Sequence, residues 1–237
     1  GMAGTLIAGC CIARLGGLSH LAFLGRPSRV FRMMMSARTS WISRGCLGLS
    51  AFLIGGFRYL APMVLSGTPW QAGSTLAEAG WLLSLAGMVV LICYMGFVYS
   101  SSKAIPFWNS PLHPLLYVAY ACRGGVALAM LTLAARGSGL ENSAGLTELW
   151  LVITAAVIVL WLLEMRGAAS GGSAAARRSV HDLLAGRVAV YFYGGTLAVG
   201  LIVPALLIGG GTTTPSLPIL ATIGIASVVG DFFMKFT

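Results

Sequence analysis

Apolar residues in this chain run continuously for about twenty positions at a time, and they do so seven times. The runs are Thr5–Leu24, Cys46–Leu65, Ala77–Tyr99, Pro114–Ala135, Leu146–Glu164, Val188–Gly209 and Leu217–Phe236. Short connectors rich in Gly, Pro, Ser and Thr separate them and read as turns. A hydrocarbon core about 30 Å thick is crossed by about 20 residues of helix, so each run is long enough to span it. Strands of an outer-membrane barrel would instead read as alternating segments of about 10 residues. A helix satisfies its own backbone polar groups in lipid, where an open strand does not. The pattern therefore predicts an all-α fold: a polytopic transmembrane helix bundle forming one integral membrane domain over residues 1–237, with no separate soluble domain. The longest connector, Arg166 to Arg187, contains Gly171-Gly172-Ser173-Ala174-Ala175-Ala176 and reads as a flexible linker.

Composition narrows the class further. Of 237 residues 57% are apolar and 9% charged, against roughly 25% charged in a soluble domain. Such a chain cannot cover itself with a solvated surface, which excludes a soluble enzyme, and it is too hydrophobic for a disordered one. The net charge of +9 bears on membrane orientation before it bears on nucleic acid, and no nucleic-acid partner is expected. Arg26, Arg29, Arg32, Arg38 and Arg44 lie in the first connector, Lys103 in the third, and Arg166, Arg177, Arg178 and Arg187 in the fifth. With Lys235 at the C-terminal end, they place eleven of the 15 basic residues on one side of a seven-span topology. The Lys/Arg bias makes that side cytoplasmic; a docked partner protein is a second use for the same charge. Gly1 before Met2 opens directly onto an apolar run, with no basic leader and cleavage site, so no signal peptide is expected. The five cysteines form no C-x-x-C pair and read as small core residues. No zinc or iron–sulfur spacing occurs, and three scattered histidines do not make a bis-histidine haem site.

Ionisable residues at membrane depth are costly, and each is a candidate site. Arg14, Arg58 and Arg123 fall well inside spans, and Asp231 lies about one and a half turns from the end of the last. Asp231 is placed to pair with Arg14 or Arg123, or locally with Lys235 at i+4. Structural pairs, a proton path and a bound polar head group all remain open. His20 and Tyr99 end their spans on the basic side; each can hydrogen-bond a quinone oxygen and relay a proton. Two basic-side connectors are stiffened by proline and studded with aromatic and polar groups. They form either a pocket wall or an aromatic interface belt.

These connectors carry a family resemblance. Leu24-Gly25-Arg26-Pro27-Ser28-Arg29, followed by Ser40-Trp41-Ile42-Ser43-Arg44, resembles the membrane anchor subunits of dimethyl sulfoxide reductase. Tyr99 followed by Pro106-Phe107-Trp108-Asn109-Ser110-Pro111 resembles both those anchors and the related polysulfide reductase (NrfD-type) membrane subunits. Gly230-Asp231-Phe232-Phe233-Met234-Lys235 resembles a late acid-then-base pair in the same anchors. The resemblance covers the chain from about Leu15 to Lys235.

The resemblance implies an eight-helix bundle without haem, in the cytoplasmic membrane of a prokaryote. The first span here matches the family's second, so this member either has seven helices or continues upstream. Such subunits exchange electrons between a quinone pool (menaquinone or ubiquinone) and an iron–sulfur subunit docked on one face, here on loops 25–44, 100–112 and 166–187. That partner in turn serves a molybdopterin catalytic subunit. Carried over, Tyr99 and His20 become quinol ligands, although the position directly before Leu24-Gly25 is Phe23 and His20 stands one turn earlier. Asp231 joins them as a proton carrier. Arg26, Ser40, Trp41, Lys103, Pro106, Trp108, Asn109 and Lys235 line or flank the head-group site. This chain supplies no metal, so electrons would leave by tunnelling to the partner. Two other readings stay open: a small-anion transporter built on the intramembrane arginines, and a purely structural anchor.

Overall fold

The computed structural model describes residues 2–23, 25–105, 107–137, 143–171, 173–210 and 215–237. Every regular element among them is helical, and seven helices are long and apolar enough to cross a membrane. The chain is a multi-pass membrane protein. It divides into two compact units, Gly1–Val98 and Tyr99–Thr237.

The first unit holds α1 (Met2–Phe23), a 3₁₀ turn (Pro27–Arg29), α2 (Val30–Met34), α3 (Trp41–Val64) and the body of α4 (Thr75–Ser100). Glycines decide how α3 and α4 meet. A Cβ added at Gly80 would lie 2.7 Å from the Arg58 Cβ and 2.9 Å from the Gly55 carbonyl, and one at Gly87 would lie 2.6 Å from the Gly48 carbonyl. Lipid tails supply no hydrophobic drive between helices, so contact between backbones at small residues is what holds such a pair. Ser84 adds a hydrogen bond from its hydroxyl to the Phe52 carbonyl at 3.1 Å. The first basic connector is itself folded. Ser40 caps α3 by accepting from the Ser43 amide, so the helix begins at Trp41, five residues before the apolar run does. The Ser43 hydroxyl donates to the Met33 carbonyl, and Arg44 donates to the Ala37 and Arg38 carbonyls at 2.9 and 3.0 Å.

The second unit contains α5 (His113–Arg136), α6 (Ser143–Ser170), α7 (Ala174–Ala185), α8 (Ala189–Tyr191), a π-helical segment (Phe192–Ile202), α9 (Val203–Gly209) and α10 (Leu217–Phe236). The run from α8 through α9 is one continuous span, Ala189–Gly209. Helix α10 packs against α5 and the π segment, and α5 packs against α6. Val126, Met130, Trp150, Leu220 and Ile223 form the core between them. The Arg166–Arg187 connector differs from the expected flexible linker. Helix α6 continues through it to Ser170, and Ser173 then caps α7 by accepting from the Ala176 amide. Ala176, Val180 and Leu183, spaced i, i+4, i+7, are buried, and Val180 and Leu183 cluster with Met165 and Phe192. That apolar stripe outweighs the glycine signal before it.

Candidate functional site

Tyr99 closes α4 and falls in the second unit. The loop after it is folded back by three hydrogen bonds. The Ser102 amide donates to the Tyr99 carbonyl at 2.9 Å, the Trp108 amide to the Ile105 carbonyl at 3.0 Å, and the Asn109 side-chain amide to the Ser100 carbonyl at 3.1 Å. This fold lays the edge of Trp108 on Tyr99, with ring centroids 4.6 Å apart at 74°. Tyr117 of α5 lies with its ring centroid 5.2 Å from that of Tyr99. Lys235 of α10 holds its ammonium 6.0 Å from the Tyr117 ring. Tyr99, Trp108, Asn109 and Lys235, which the sequence singled out, are thus gathered in one place. Lys103 is exposed on the same loop, and Pro106 lies outside the described residues.

Two further residues belong to this cluster. His113 begins α5 and packs 5.1 Å from Tyr117 and 6.1 Å from Tyr99. Its Nδ1 lies 2.7 Å from the Glu164 carboxylate, with His113 6% and Glu164 4% exposed. When the imidazole is neutral and the carboxylate accepts, Nδ1 carries the hydrogen and Nε2 is left to accept another. That Nε2 is buried with no hydrogen-bond partner among the described residues. A carboxylate-oriented imidazole with a bare nitrogen can take a proton from a neighbouring hydroxyl and hold the resulting charge. Sequence reasoning passed over both groups. The apolar run stops at Glu164, but α6 continues to Ser170 and leaves the carboxylate well inside a span. An acid kept inside the span by the continuation of α6 was the signal that could have found Glu164.

A second polar centre lies deeper. Arg123, 2% exposed, pairs with Asp231. Its Nε donates to Thr154 Oγ1 at 3.1 Å, its second terminal nitrogen donates to the Gly200 carbonyl, and its carbon sits 5.1 Å from the Trp150 ring. Pro204 has no N–H to donate to the Gly200 carbonyl four residues earlier, so the guanidinium supplies a donor there. Of the partners open to Asp231, Arg123 is the one observed.

The remaining candidates lie in the first unit. His20 is exposed in the last turn of α1, and Arg26 is exposed beyond it. Ser40 caps α3, and Trp41 stacks on Phe97 at 4.3 Å with the Arg44 guanidinium 4.1 Å from its ring. Among the described residues no three His, Cys, Asp or Glu side chains group to hold a metal, and the five cysteines are free.

Comparison with known proteins bears on this arrangement. The chain is 32% identical over 161 residues to Protein NrfD of Escherichia coli, covering 65% of this chain and 49% of that protein. It is 28% identical over 135 residues to a subunit of the sulfite dehydrogenase of Allochromatium vinosum, covering 53% and 40% respectively. The chain thus spans half the length or less of the curated relatives it matches. The family model described as polysulphide reductase, NrfD, matches residues 2–237. With helices, connectors and the Tyr99 loop all inside that match, the chain belongs to the NrfD polysulphide reductase family.

Proposed function

We propose that this chain is the quinone-reactive membrane subunit of a multi-subunit oxidoreductase. It exchanges electrons between quinol or quinone in the bilayer and an iron–sulfur subunit docked on the basic loops 25–44, 100–112 and 166–187, which serves a molybdopterin catalytic subunit. The membrane is the cytoplasmic membrane of a prokaryote. The observation that carries the reading is the cluster of Tyr99, Tyr117, Trp108 and the His113–Glu164 pair at the end of otherwise apolar helices. A relative named as part of a sulfite dehydrogenase supports it.

In this reading a quinol head group lies against Trp108 and hydrogen-bonds to Tyr99. Quinol oxidation releases two electrons and two protons. One proton passes to Nε2 of His113, and Glu164 stabilises the imidazolium that forms. The second leaves through the Tyr99–Tyr117 hydroxyls. The electrons pass to the partner's cluster. In the reverse direction the same groups supply the protons. Lys235 keeps the local charge favourable to a developing quinone anion. Asp231 acts with Arg123 as a structural pair beneath this site. The anion-transporter reading loses its best cation, because Arg123 is already engaged by Asp231, Thr154 and Gly200.

Tyr99→Phe and His113→Gln, each measured in the assembled complex, test the reading. Quinol-driven electron transfer should fall at least ~100-fold, the scale of a lost proton-transfer group. Turnover of the catalytic subunit with a soluble dye donor should not change. Unaltered quinol turnover in both variants would remove this cluster from the mechanism.

A further inference from the structure

Buried polar groups inside the spans follow one habit in this protein. The Trp150 indole donates to Ser227 Oγ at 2.9 Å, and the hydroxyls of Thr147 and Ser227 turn back on the carbonyl four residues earlier at 2.8 and 2.7 Å. Apart from His113 Nε2 in the Tyr99 cluster, two groups among the described residues break it. Trp161 Nε1 and Thr196 Oγ1 are buried with no partner among the described residues, and Thr196 is 7% exposed. Thr196 lies in the π-wound segment Phe192–Ile202, where the α-helical register that would offer it a carbonyl is lost.

Both exceptions line one cavity of about 330 Å³ in the second unit, between α5, α6, α10 and the π segment. That size falls in the range of small-molecule sites. Val157, Leu197 and Met234 make its walls apolar, and Trp161 stacks on Phe192 at 5.2 Å. Arg123 and Asp231 also line it, but they neutralise each other, so the wall carries no net charge. Ile158, Leu162 and Tyr193 line it too and are exposed, as expected of an opening toward lipid.

An indole N–H can only donate, and a threonine hydroxyl lining the same cavity can do the same. Two idle donors in a neutral, apolar, lipid-facing cavity require a neutral molecule with an acceptor oxygen and an apolar body. We propose that this cavity binds a carbonyl-bearing lipid, its oxygen held by Trp161 and Thr196 and its chain leaving between Ile158, Leu162 and Tyr193. An isoprenoid quinone and a diacyl lipid ester both have this chemistry. The site is separate from the Tyr99 cluster and does not depend on it.

The test uses the intact complex in membranes and two probes, a diazirine-tagged short-chain quinone and a diazirine-tagged phosphatidylethanolamine. One of them should label segments 157–162 and 192–201, and its untagged counterpart should compete, which identifies the source. The conservative variants Thr196→Val and Trp161→Phe, together, should reduce that labelling about tenfold, as loss of two modest hydrogen bonds implies. Tyr99→Phe should leave the labelling intact even if it abolishes turnover. Labelling spread evenly over all spans, or unchanged in the double variant, would overturn the proposal, as would labelling lost only with Tyr99→Phe.

Discussion

At the scale of single residues the second unit is organised by two buried polar pairs with different tasks. His113–Glu164 leaves one nitrogen bare, whereas the Arg123–Asp231 pair uses its donors on protein oxygens. A buried pair is not in itself strongly stabilising, because desolvation opposes the Coulomb gain, but a buried charge that loses its partner is costly, by ~3–5 kcal/mol. Asp231→Asn should therefore lower the thermal inactivation midpoint and the membrane yield of the complex. Arg123→Met combined with Asp231→Asn should recover most of the loss. A double variant no better than the single one would show that the charge imbalance is not what matters. The sequence made this pair half legible: an acid in an apolar run must have a partner, and Arg123 was one of three within reach, with Arg14 and Lys235. His113 and Glu164 were not legible as a pair. They are 51 positions apart, and each sits where an apolar run stops, which is where polar residues are ordinary.

At the scale of elements, the seven spans could be read directly, because lipid imposes a length and a polarity that few sequences meet by chance. Their ends could not, since helix ends follow caps. Ser40 and Ser173 start helices where hydropathy reads connectors. Glycine shows the same division between composition and place. In a helix interior alanine is favoured over glycine by ~1 kcal/mol. Gly16 of α1 has open space where its Cβ would go, so Gly16→Ala should be neutral or stabilising. Gly80 faces the Arg58 Cβ and the Gly55 carbonyl across the α3–α4 contact, so Gly80→Ala should destabilise in spite of the propensity gain. Detergent-extracted protein can be ranked for both by thermal aggregation. Equal midpoints would mean that the α3–α4 contact relaxes freely.

For the molecule as a whole the open quantity is sidedness, and charge is the lever. The connectors carrying Arg26 to Arg44, Lys103 and Arg166 to Arg187 fall on one side of a seven-span topology, while the opposite connectors hold Arg136. Basic residues near span ends are retained in the cytoplasm because moving them across the membrane opposes its potential. Fusions after Ser170 should therefore be fluorescent with green fluorescent protein and inactive with alkaline phosphatase, and fusions after Gly137 the reverse. The same charges can serve docking instead. Helix α7 turns Ala176, Val180 and Leu183 inward and leaves Arg178 exposed, a basic surface suited to an acidic partner. The two uses separate experimentally. If α7 guides the partner, Arg178→Glu with Arg187→Glu slows complex assembly and weakens its dependence on salt, because screening acts on exposed charges. If the charges serve orientation alone, the same variant shifts the fusion reporters and leaves partner affinity unchanged. An active phosphatase after Ser170 together with the docking defect would put the partner outside the cytoplasm and make docking, rather than topogenesis, the reason for the excess of arginine.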